Sequence, residues 1–326
     1  MKKSLWLFSL TLIMSVMITL SSNNWISMWM GLELNMMSFI PIILSKVNKS
    51  SSEAAMIYFL TQSVSSILML AMVMMSMTKH ETTKISNIII TMTLLIKMGA
   101  APFHKWMPDM MAKMSWNKCL LLMTWQKIAP LMMISNMNMS HFIINMSIIW
   151  SVGIGSIGGI NQSSLRKMMA YSSINHMGWL LAINKSMNLW MMYMTMYSLL
   201  TWMVCKMFNS YKMYFINQIM SMNMKKSEKM MMFIMMLSMG GLPPFIGFMP
   251  KWMTIQTMMN SKEIILLMVM IMFSLITLMY YIRIMTNLML NFNSPIKWMT
   301  YKNNKNIMIM TTINLLLPLI MMIDML

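Results

Sequence analysis

The feature that most limits how this chain can fold is a series of apolar runs separated by short polar loops. A run of roughly 20 apolar residues is long enough to cross the hydrocarbon core of a bilayer as one helix. Hydrophobic residues make up 58% of the chain and charged residues only 10%, with a mean hydropathy of +0.62. Because 326 residues cannot bury that much apolar surface in a soluble core, we expect an all-α polytopic membrane protein.

The apolar runs predict about eleven transmembrane helices. They lie near residues 2–20, 25–45, 55–77, 86–112, 119–136, 141–160, 167–184, 188–208, 229–259, 262–286 and 306–325. The first run follows Lys2 and Lys3, as a secretory signal would, but it has no convincing small-residue cleavage site. We therefore expect it to be retained as the first span.

The basic residues in the loops support this count. Of the 25 lysines and arginines, four fall within spans, namely Lys97, Lys105, Lys127 and Lys251. Another four lie in loops on the side opposite to the amino terminus, namely Lys79, Lys84, Lys185 and Lys262. All the others share the side of the amino terminus, and the positive-inside rule then predicts that the amino terminus faces the matrix-like side of the membrane.

Composition also bears on the partners and the compartment. The net charge of +18 does not indicate a nucleic-acid partner, because the lysines are scattered singly or in pairs between apolar runs. Cys119 and Cys205 are far apart and lack a CxxC or Cys/His spacing, so we expect no disulfide, metal or redox cofactor. The 61 methionines, with abundant Asn, Lys and Ile, are typical of AT-rich coding that reads ATA as Met, which indicates a mitochondrial genome.

Two of the predicted spans contain a helix break. The segment Ile96–Asp109, IKMGAAPFHKWMPD, carries Gly99, Pro102 and Pro108, so two half-helices joined by unwound backbone are expected. The segment Gly241–Pro250, GLPPFIGFMP, matches GAAPFHKWMP in Gly, Pro, Phe, an aromatic residue, Met and Pro. Paired Gly/Pro-interrupted apolar segments in two halves of a chain are typical of the internal repeats of transporters.

The predicted topology makes these repeats inverted. The broken spans are the fourth and the ninth, and an odd offset means that the second copy crosses the membrane in the opposite direction. We therefore predict a single transmembrane domain, 1–326, with inverted five-helix repeats at 1–136 and 141–286, each containing one broken helix. A carboxy-terminal loop and last helix would follow at 287–326.

A GxGxxG motif at Gly153, Gly155 and Gly158 lies inside an apolar span. It has no flanking strand and no acidic ribose ligand after it, so we do not expect a dinucleotide site. Gly155 and Gly159 are instead predicted to form a small-residue face for helix packing.

The chemistry of the chain is expected at the few ionisable side chains within the spans. Glu33, Lys97, Lys127 and Lys251 each cost about 2.5–3.5 kcal/mol or more at the centre of a bilayer, so they should face the interior and serve a function. Burial favours the neutral form of an amine, whereas a nearby carboxylate favours its charged form. We therefore predict a proton relay in which Glu33 pairs with Lys97, and Lys127 and Lys251 continue toward the second half.

Other polar residues are weaker candidates. His104, beside the first break, and His176 are possible neutral relays, although a lone histidine in a helix more often packs as a satisfied core residue. Lys105 lies near the end of its span, where a lysine can extend to the membrane surface. Capping or helix contacts explain four further polar residues adequately, namely Asp109, Tyr171, Ser172 and Ser173.

Five motifs in order resemble one family over roughly residues 25–260. They are WMGLELN with Glu33, KMGAAPFHKWMPD with Lys97, WQKIAP with Lys127, NQSSLRKMMAYSSINHMGW, and GGLPPFIGFMPKW with Lys251. The chain resembles the family of mitochondrial NADH-ubiquinone oxidoreductase chain 2, the antiporter-like membrane subunits of respiratory complex I. Eleven spans is a departure from the fourteen of bacterial relatives, and Lys105 occupies a position that is usually uncharged in the family.

The resemblance implies a proton-translocating subunit of NADH:ubiquinone reductase in the mitochondrial inner membrane, with Glu33, Lys97, Lys127 and Lys251 at the positions of the relay residues. It implies no cofactor in this chain, because NADH, FMN, iron–sulfur clusters and ubiquinone are bound by other subunits. The implied partners are the other membrane-arm and accessory subunits and the lipids of the inner membrane.

Two alternatives remain open at this point. A subunit of a multisubunit cation/proton antiporter would share both breaks and the relay lysines, although mitochondrial coding and the short amino end favour complex I. The second alternative is a structural membrane subunit that transports nothing. In that case Lys97→Ala or Glu33→Gln in a bacterial relative would leave proton pumping by the assembled complex intact.

Overall fold

The computed structural model describes residues 2–78, 83–137, 141–221, 226–289, 312, 314 and 315. The helices of these segments are, in chain order, α1 (Lys2–Ser21), α2 (Trp25–Ile43), α3 (Lys49–Thr78), α4 (Thr83–Met98), α5 (Trp106–Lys113), α6 (Trp116–Met123), α7 (Trp125–Ser135), α8 (His141–Ile160), α9 (Leu165–Ala182), α10 (Met187–Ser210), α11 (Ile216–Ser221), α12 (Lys226–Gly240), α13 (Phe248–Asn260) and α14 (Ile264–Met289). Apart from one isolated β-bridge between Ser164 and Phe215, the regular structure of these segments is helical, as expected for an all-α protein.

Four helices of the described segments are long and apolar enough to cross a membrane by length and composition, at Trp25–Ile43, Lys49–Met77, Phe142–Ile160 and Ile264–Met289. Two shorter apolar helices lie at Leu5–Ser21 and Ile85–Met98. Most of the predicted span near 306–325, and most of the predicted carboxy-terminal segment 287–326, lie outside the described residues.

Both predicted helix breaks are present and share one local geometry. Helix α4 ends before Gly99, whose φ is +69°, and α12 ends before Gly241, whose φ is +74°. At the first break the N–H of Ala100 donates to the carbonyl of Leu95 at 3.0 Å, and at the second that of Leu242 donates to Leu237 at 3.4 Å. This pattern is the Schellman cap, in which a residue with positive φ ends the helix and satisfies its last carbonyls.

A third interruption divides the predicted span 119–136 into α6 and α7 at Thr124. The hydroxyl of Thr124 donates back to the carbonyl of Leu120 at 2.8 Å, and such back-bonding bends helices. The sequence carries no strong signal for it, since Pro130 lies well inside α7 and Pro41 is accommodated inside α2 without a break.

Several loops meet at one end of the helices, which we call the basic end. Three cationic side chains there donate to the carboxy-terminal carbonyls of other helices: Lys118 to Ile43 at 2.6 Å, Arg166 to Met114 at 2.6 Å and Arg283 to Ile160 at 2.8 Å. An ion pair of 2.9 Å also joins Lys113 and Glu53 at this end. These loops are among those that the distribution of basic residues assigns to one side.

Helix α9 lies at the centre of the fold, with most of its side chains buried. Its closest neighbour is α8, because glycines allow the two backbones to approach. A Cβ on Gly155 would lie 2.6 Å from the backbone N of Asn175 in α9. Both glycines pack against a neighbouring helix, but the prediction that they form one face is wrong, since Gly159 packs against Tyr280 of α14 and not against α9.

The close approach of α8 and α9 can be tested with Gly155→Ala, because the added methyl group would meet backbone atoms that cannot rotate away. Overpacking of this kind costs about 1–3 kcal/mol, so the variant should unfold at a lower temperature in detergent. Gly153→Ala is the matched control, since its Cβ would have 3.5 Å of room to Phe273 and alanine favours helix. Equal unfolding temperatures for the two variants would contradict the packing.

Candidate functional site

Three lysines are buried inside the helical bundle. The exposed fractions of Lys97, Lys127 and Lys251 are 6%, 2% and 5%. Each lies beside irregular backbone: Lys97 two residues before Gly99, Lys127 three residues after Thr124, and Lys251 in the first turn of α13 after the second break. Since an interrupted helix leaves carbonyl groups without helical partners, such positions suit a buried amine.

Lys97 and Lys127 share one cavity between α2, α3, α4 and α7. The volume in which the centre of a water molecule can lie is about 20 Å³, so the cavity has room for at least one water. Its polar lining also includes Asn35, Tyr58, Gln62 and Gln126. The structure thus brings together two of the predicted relay residues, which are 30 positions apart in the sequence.

A hydrogen-bonded network forms the wall of this cavity. Tyr58 donates from its hydroxyl to the side chain of Gln126 at 3.1 Å, and Gln126 donates to Asn35 at 3.0 Å. Gln62 donates to the backbone carbonyl of Lys97 at 3.3 Å, beside the break. Sequence reasoning missed these residues, although Asn35 lies in the motif of Glu33 and Gln126 in that of Lys127.

Glu33 lies near this cavity without contacting Lys97 directly. Its carboxylate interacts electrostatically with Lys97 and Tyr58, but no ion pair within 4 Å joins Glu33 to Lys97 among the described residues. The Oε1 atom of Glu33 is buried and has no hydrogen-bond partner in the described part of the chain. The structure therefore shows no direct ion pair between Glu33 and Lys97 in the described residues, and the Oε1 atom of Glu33 is left as an acceptor for a donor such as water.

On its other side, Lys127 faces α9 and α10. Its amine donates to the backbone carbonyl of Ser173 at 3.1 Å and lies 5.7 Å from the ring centroid of Tyr197. The ring of His176 lies 4.8 Å from that of Tyr197, between centroids. His176 is therefore adjacent to Lys127 through the ring of Tyr197, and Trp179, three residues later on α9, lies 5.7 Å from the amine of Lys251.

His176 is oriented by a hydrogen bond of 2.8 Å between its Nδ1 atom and the hydroxyl of Tyr193. Its exposed fraction is 7%, so the ring is enclosed by protein. Of the two predicted histidines, this is the one that the structure brings next to the buried lysines.

Lys251 is held by the second break. Its amine donates to the carbonyl of Gly240, the last residue of α12, at 2.7 Å, and lies 5.7 Å from the ring of Trp179. A Cβ on Gly241 would come within 2.8 Å of the Lys251 side chain. Glycine is therefore needed at position 241 for two reasons: it adopts the positive φ of the break, and its lack of a Cβ leaves space for the Lys251 side chain.

Several buried polar atoms around these lysines have no hydrogen-bond partner among the described residues. Besides Glu33 they include the hydroxyls of Tyr197, Tyr280 and Tyr281 and the side-chain oxygen of Asn175. A buried polar group without a partner costs about 1–3 kcal/mol, so the donor set suits ordered water. The tyrosines of α14 were also missed by sequence reasoning, since a tyrosine in an apolar span looks like packing.

The remaining predicted candidates lie apart. His104 is half-buried in the loop between α4 and α5, and its Nδ1 atom lies 3.2 Å from the carbonyl of Pro102 in the same loop. Lys105 and Asp109 are exposed. The described contacts of His104 do not connect it to the buried lysines, and its predicted role stays a prediction.

The described residues hold no group of three or more His, Cys, Asp or Glu side chains placed to bind a metal ion, and Cys119 and Cys205 are free thiols.

Residues 22–277 match a family model described as NADH:quinone oxidoreductase/Mrp antiporter, TM. Among relatives with a name, NADH-ubiquinone oxidoreductase chain 2 of Anopheles gambiae is 46% identical over 92% of this chain and 90% of its own length. The protein of that name from Locusta migratoria is 40% identical over the same shares of the two chains. These identities extend over nearly the whole chain.

Solved structures share the fold at lower identity. A chain of respiratory complex I from Thermus thermophilus aligns with a TM-score of 0.80 and 18% identity, covering 87% of this chain and 70% of that chain. A chain of the Mrp complex from Dietzia aligns with a TM-score of 0.77 and 15% identity, covering 88% and 61%. At these identities the likeness concerns the fold alone.

The contact between Gly241 and Lys251 predicts the effect of Gly241→Ala. A residue other than glycine at this positive φ costs about 1–2 kcal/mol, and the new methyl group would also displace Lys251 from the carbonyl of Gly240. We expect a lower unfolding temperature of the full chain in detergent. Gly240→Ala is the matched control, because its Cβ would lie 3.5 Å from Leu278 and its carbonyl would stay in place. An unfolding temperature equal to that of the control would argue against the contact.

Proposed function

Because the chain belongs to the NADH-ubiquinone oxidoreductase chain 2 family, we propose that it is a proton-translocating membrane subunit of respiratory complex I. The observation that carries the proposal is the row of buried amines Lys97, Lys127 and Lys251. One water-sized cavity joins the first two, and α9 contacts the second through Ser173 and the third through Trp179, with His176 between these two residues along the helix.

The row supplies what a proton path inside a membrane needs. Each amine can bind or release a proton, and the two that donate to protein carbonyls, Lys127 and Lys251, keep a partner in the charged form. The unpartnered hydroxyls nearby can hold water between the groups. Low dielectric favours the neutral amine, so a proton is stored only where a negative charge or a dipole compensates for it.

Glu33 would control the first step of this path, the protonation of Lys97. Its carboxylate favours the protonated form of Lys97, and an increase in their separation would release that proton toward Lys127 across the shared cavity. The conformational change of neighbouring subunits that accompanies electron transfer would supply the motion. His176 would then pass the proton between Lys127 and Lys251, in the tautomer that its bond to Tyr193 selects.

The proposal includes a topology of about eleven spans with inverted repeats at 1–136 and 141–286, followed by a segment at 287–326. The matching positive φ values and Schellman bonds at Gly99 and Gly241 support two copies of one broken-helix motif. The excess of basic residues at one end supports an amino terminus that faces the matrix.

In this proposal the chain contributes proton translocation to the NADH:ubiquinone reductase, whereas NADH, FMN, iron–sulfur clusters and ubiquinone are bound by other subunits. Its partners are the other membrane-arm and accessory subunits, in the mitochondrial inner membrane. This assignment fits the named relatives, which align over nearly the whole chain.

The relay can be tested with Lys127→Ala in the intact complex, made at the equivalent position of a bacterial relative. Removing a proton-transfer group typically costs about 10²–10⁴ in rate, so we expect proton pumping in proteoliposomes to fall by at least about tenfold. Glu33→Gln and Lys97→Ala should act in the same direction.

Alanine at the position of the relative that corresponds to Lys105 is the matched control, because this position is exposed beside the first break and the substitution should leave pumping unchanged. Assembly is checked by the electron-transfer rate with an artificial acceptor, which does not depend on pumping. Intact pumping in an assembled Lys127→Ala complex would favour the purely structural subunit.

A subunit of a cation/proton antiporter is the second candidate, because a chain of the Mrp complex shares the fold. The two functions differ in the ion that moves. We expect proton uptake driven by NADH oxidation to be equal with and without sodium in both compartments. A requirement for sodium on the opposite side of the membrane would favour exchange.

A further inference from the structure

A cavity at the basic end, separate from the buried lysines of the relay, is lined by Lys46 and Lys118. It lies where the carboxy terminus of α2 meets α1, α6 and the end of α10, and its volume is about 430 Å³. Its other polar side chains are Ser45, Ser115, Asn117 and Asn209. The residues that line it include no aspartate or glutamate.

No carboxylate among the residues that line this cavity balances its positive charge. Lys118 is half-buried, and its amine donates to the carbonyl of Ile43 at 2.6 Å, which leaves two of its three N–H groups for another acceptor. The side chain of Lys46 forms no hydrogen bond or ion pair with a described residue, and the two lysines repel each other. Two like charges held together without a counter-charge favour an anion between them.

Further donors point to an anion with several oxygen atoms. Asn209 donates to the side-chain oxygen of Asn117 at 3.4 Å, so the amide of Asn117 remains able to donate. Ser115 precedes α6 but forms no capping hydrogen bond with its side chain. The amino terminus of α6 therefore carries free backbone N–H groups at the cavity, in the arrangement that favours phosphate.

The rest of the wall is apolar, which distinguishes a lipid from a soluble anion. Leu5, Ile42 and Leu121 line the cavity below its polar rim. The neighbouring Trp6 is 72% exposed, as expected for a tryptophan at the level of lipid headgroups. Basic pockets between membrane helices on the cytoplasmic or matrix side are a known setting for anionic headgroups.

We propose that this cavity binds the phosphate of an anionic phospholipid, with Lys46 and Lys118 on its oxygens and an acyl chain along Leu5, Ile42 and Leu121. The site is independent of the proton relay, because it shares no residue with the cavity of Lys97 and Lys127. Bound lipid would connect α1, α2, α6 and α10 at the basic end.

The test is native mass spectrometry of the full chain released from bilayers of phosphatidylcholine and phosphatidylglycerol in equal parts. The wild type should retain phosphatidylglycerol, and Lys46→Gln with Lys118→Gln should weaken its retention by about fivefold for each lysine removed. Lys206→Gln is the matched control, because this lysine is exposed and its amine lies over the ring of Trp202 outside the cavity.

A second measurement uses only the wild type, so it tests the proposal even where the double variant does not fold. In the wild type, Lys46 and Lys118 should react with an amine reagent more slowly in phosphatidylglycerol bilayers than in phosphatidylcholine bilayers. The reactivity of Lys206, measured relative to that of other surface lysines, should be the same in the two lipids. Equal retention in the double variant and the control, or equal reactivity in the two lipids, would overturn the proposal. Displacement of the bound lipid by inorganic phosphate alone would also overturn it, in favour of a site for a soluble anion.

Discussion

The rest of the structure depends on how positive charge is accommodated inside a bundle of apolar helices. An amine or guanidinium loses the solvation of bulk water there, so each one needs an acceptor from the protein or from enclosed water. In the interior, Lys251 donates to the carbonyl of Gly240 at the end of α12, and Lys127 donates to that of Ser173. At the basic end, the carbonyls of Ile43, Met114 and Ile160 at helix ends accept from Lys118, Arg166 and Arg283. The carboxy terminus of a helix also carries a partial negative charge, which stabilises a nearby cation.

Helix breaks place such ends at the level of the bundle interior as well as at its surface. A continuous helix would use the carbonyl of Gly240 internally, and Lys251 would then lack an acceptor. The positive φ of Gly241 ends α12 at that point and leaves space for the lysine stem. The break and the buried lysine therefore depend on each other within the membrane. The break supplies a carbonyl for the amine of Lys251, and the amine satisfies a carbonyl that the break leaves without a helical partner.

Helix α9 links the two halves of the candidate site. Its residue Ser173 accepts from Lys127, and Trp179, further along the same helix, lies 5.7 Å from the amine of Lys251, with His176 between these two residues along α9. Close packing of α8 on α9, through Gly155, fixes where these groups stand. Residues from α10 and α14 complete the enclosure with tyrosine hydroxyls, several of which have no partner among the described residues.

The sequence by itself determined the membrane class, the position of both Gly/Pro breaks and the lysines that would be buried. It could do so because apolar runs, positive φ at glycine and the cost of charge in hydrocarbon are local properties. The polar wall formed by Tyr58, Gln62 and Gln126 was not predictable, because single polar residues in apolar spans do not reveal which helices they face. The break at Thr124 was missed for a similar reason, since a threonine is compatible with a continuous helix.

Only the tertiary structure decided which candidates meet. It separated His104 from His176, because one ring lies in the loop of the first break and the other packs against Tyr197, whose ring lies beside the amine of Lys127. It also kept Glu33 out of direct contact with Lys97 while leaving their charges coupled. Distances between side chains on different helices follow from packing angles and close glycine contacts, which the order of residues along one chain does not specify.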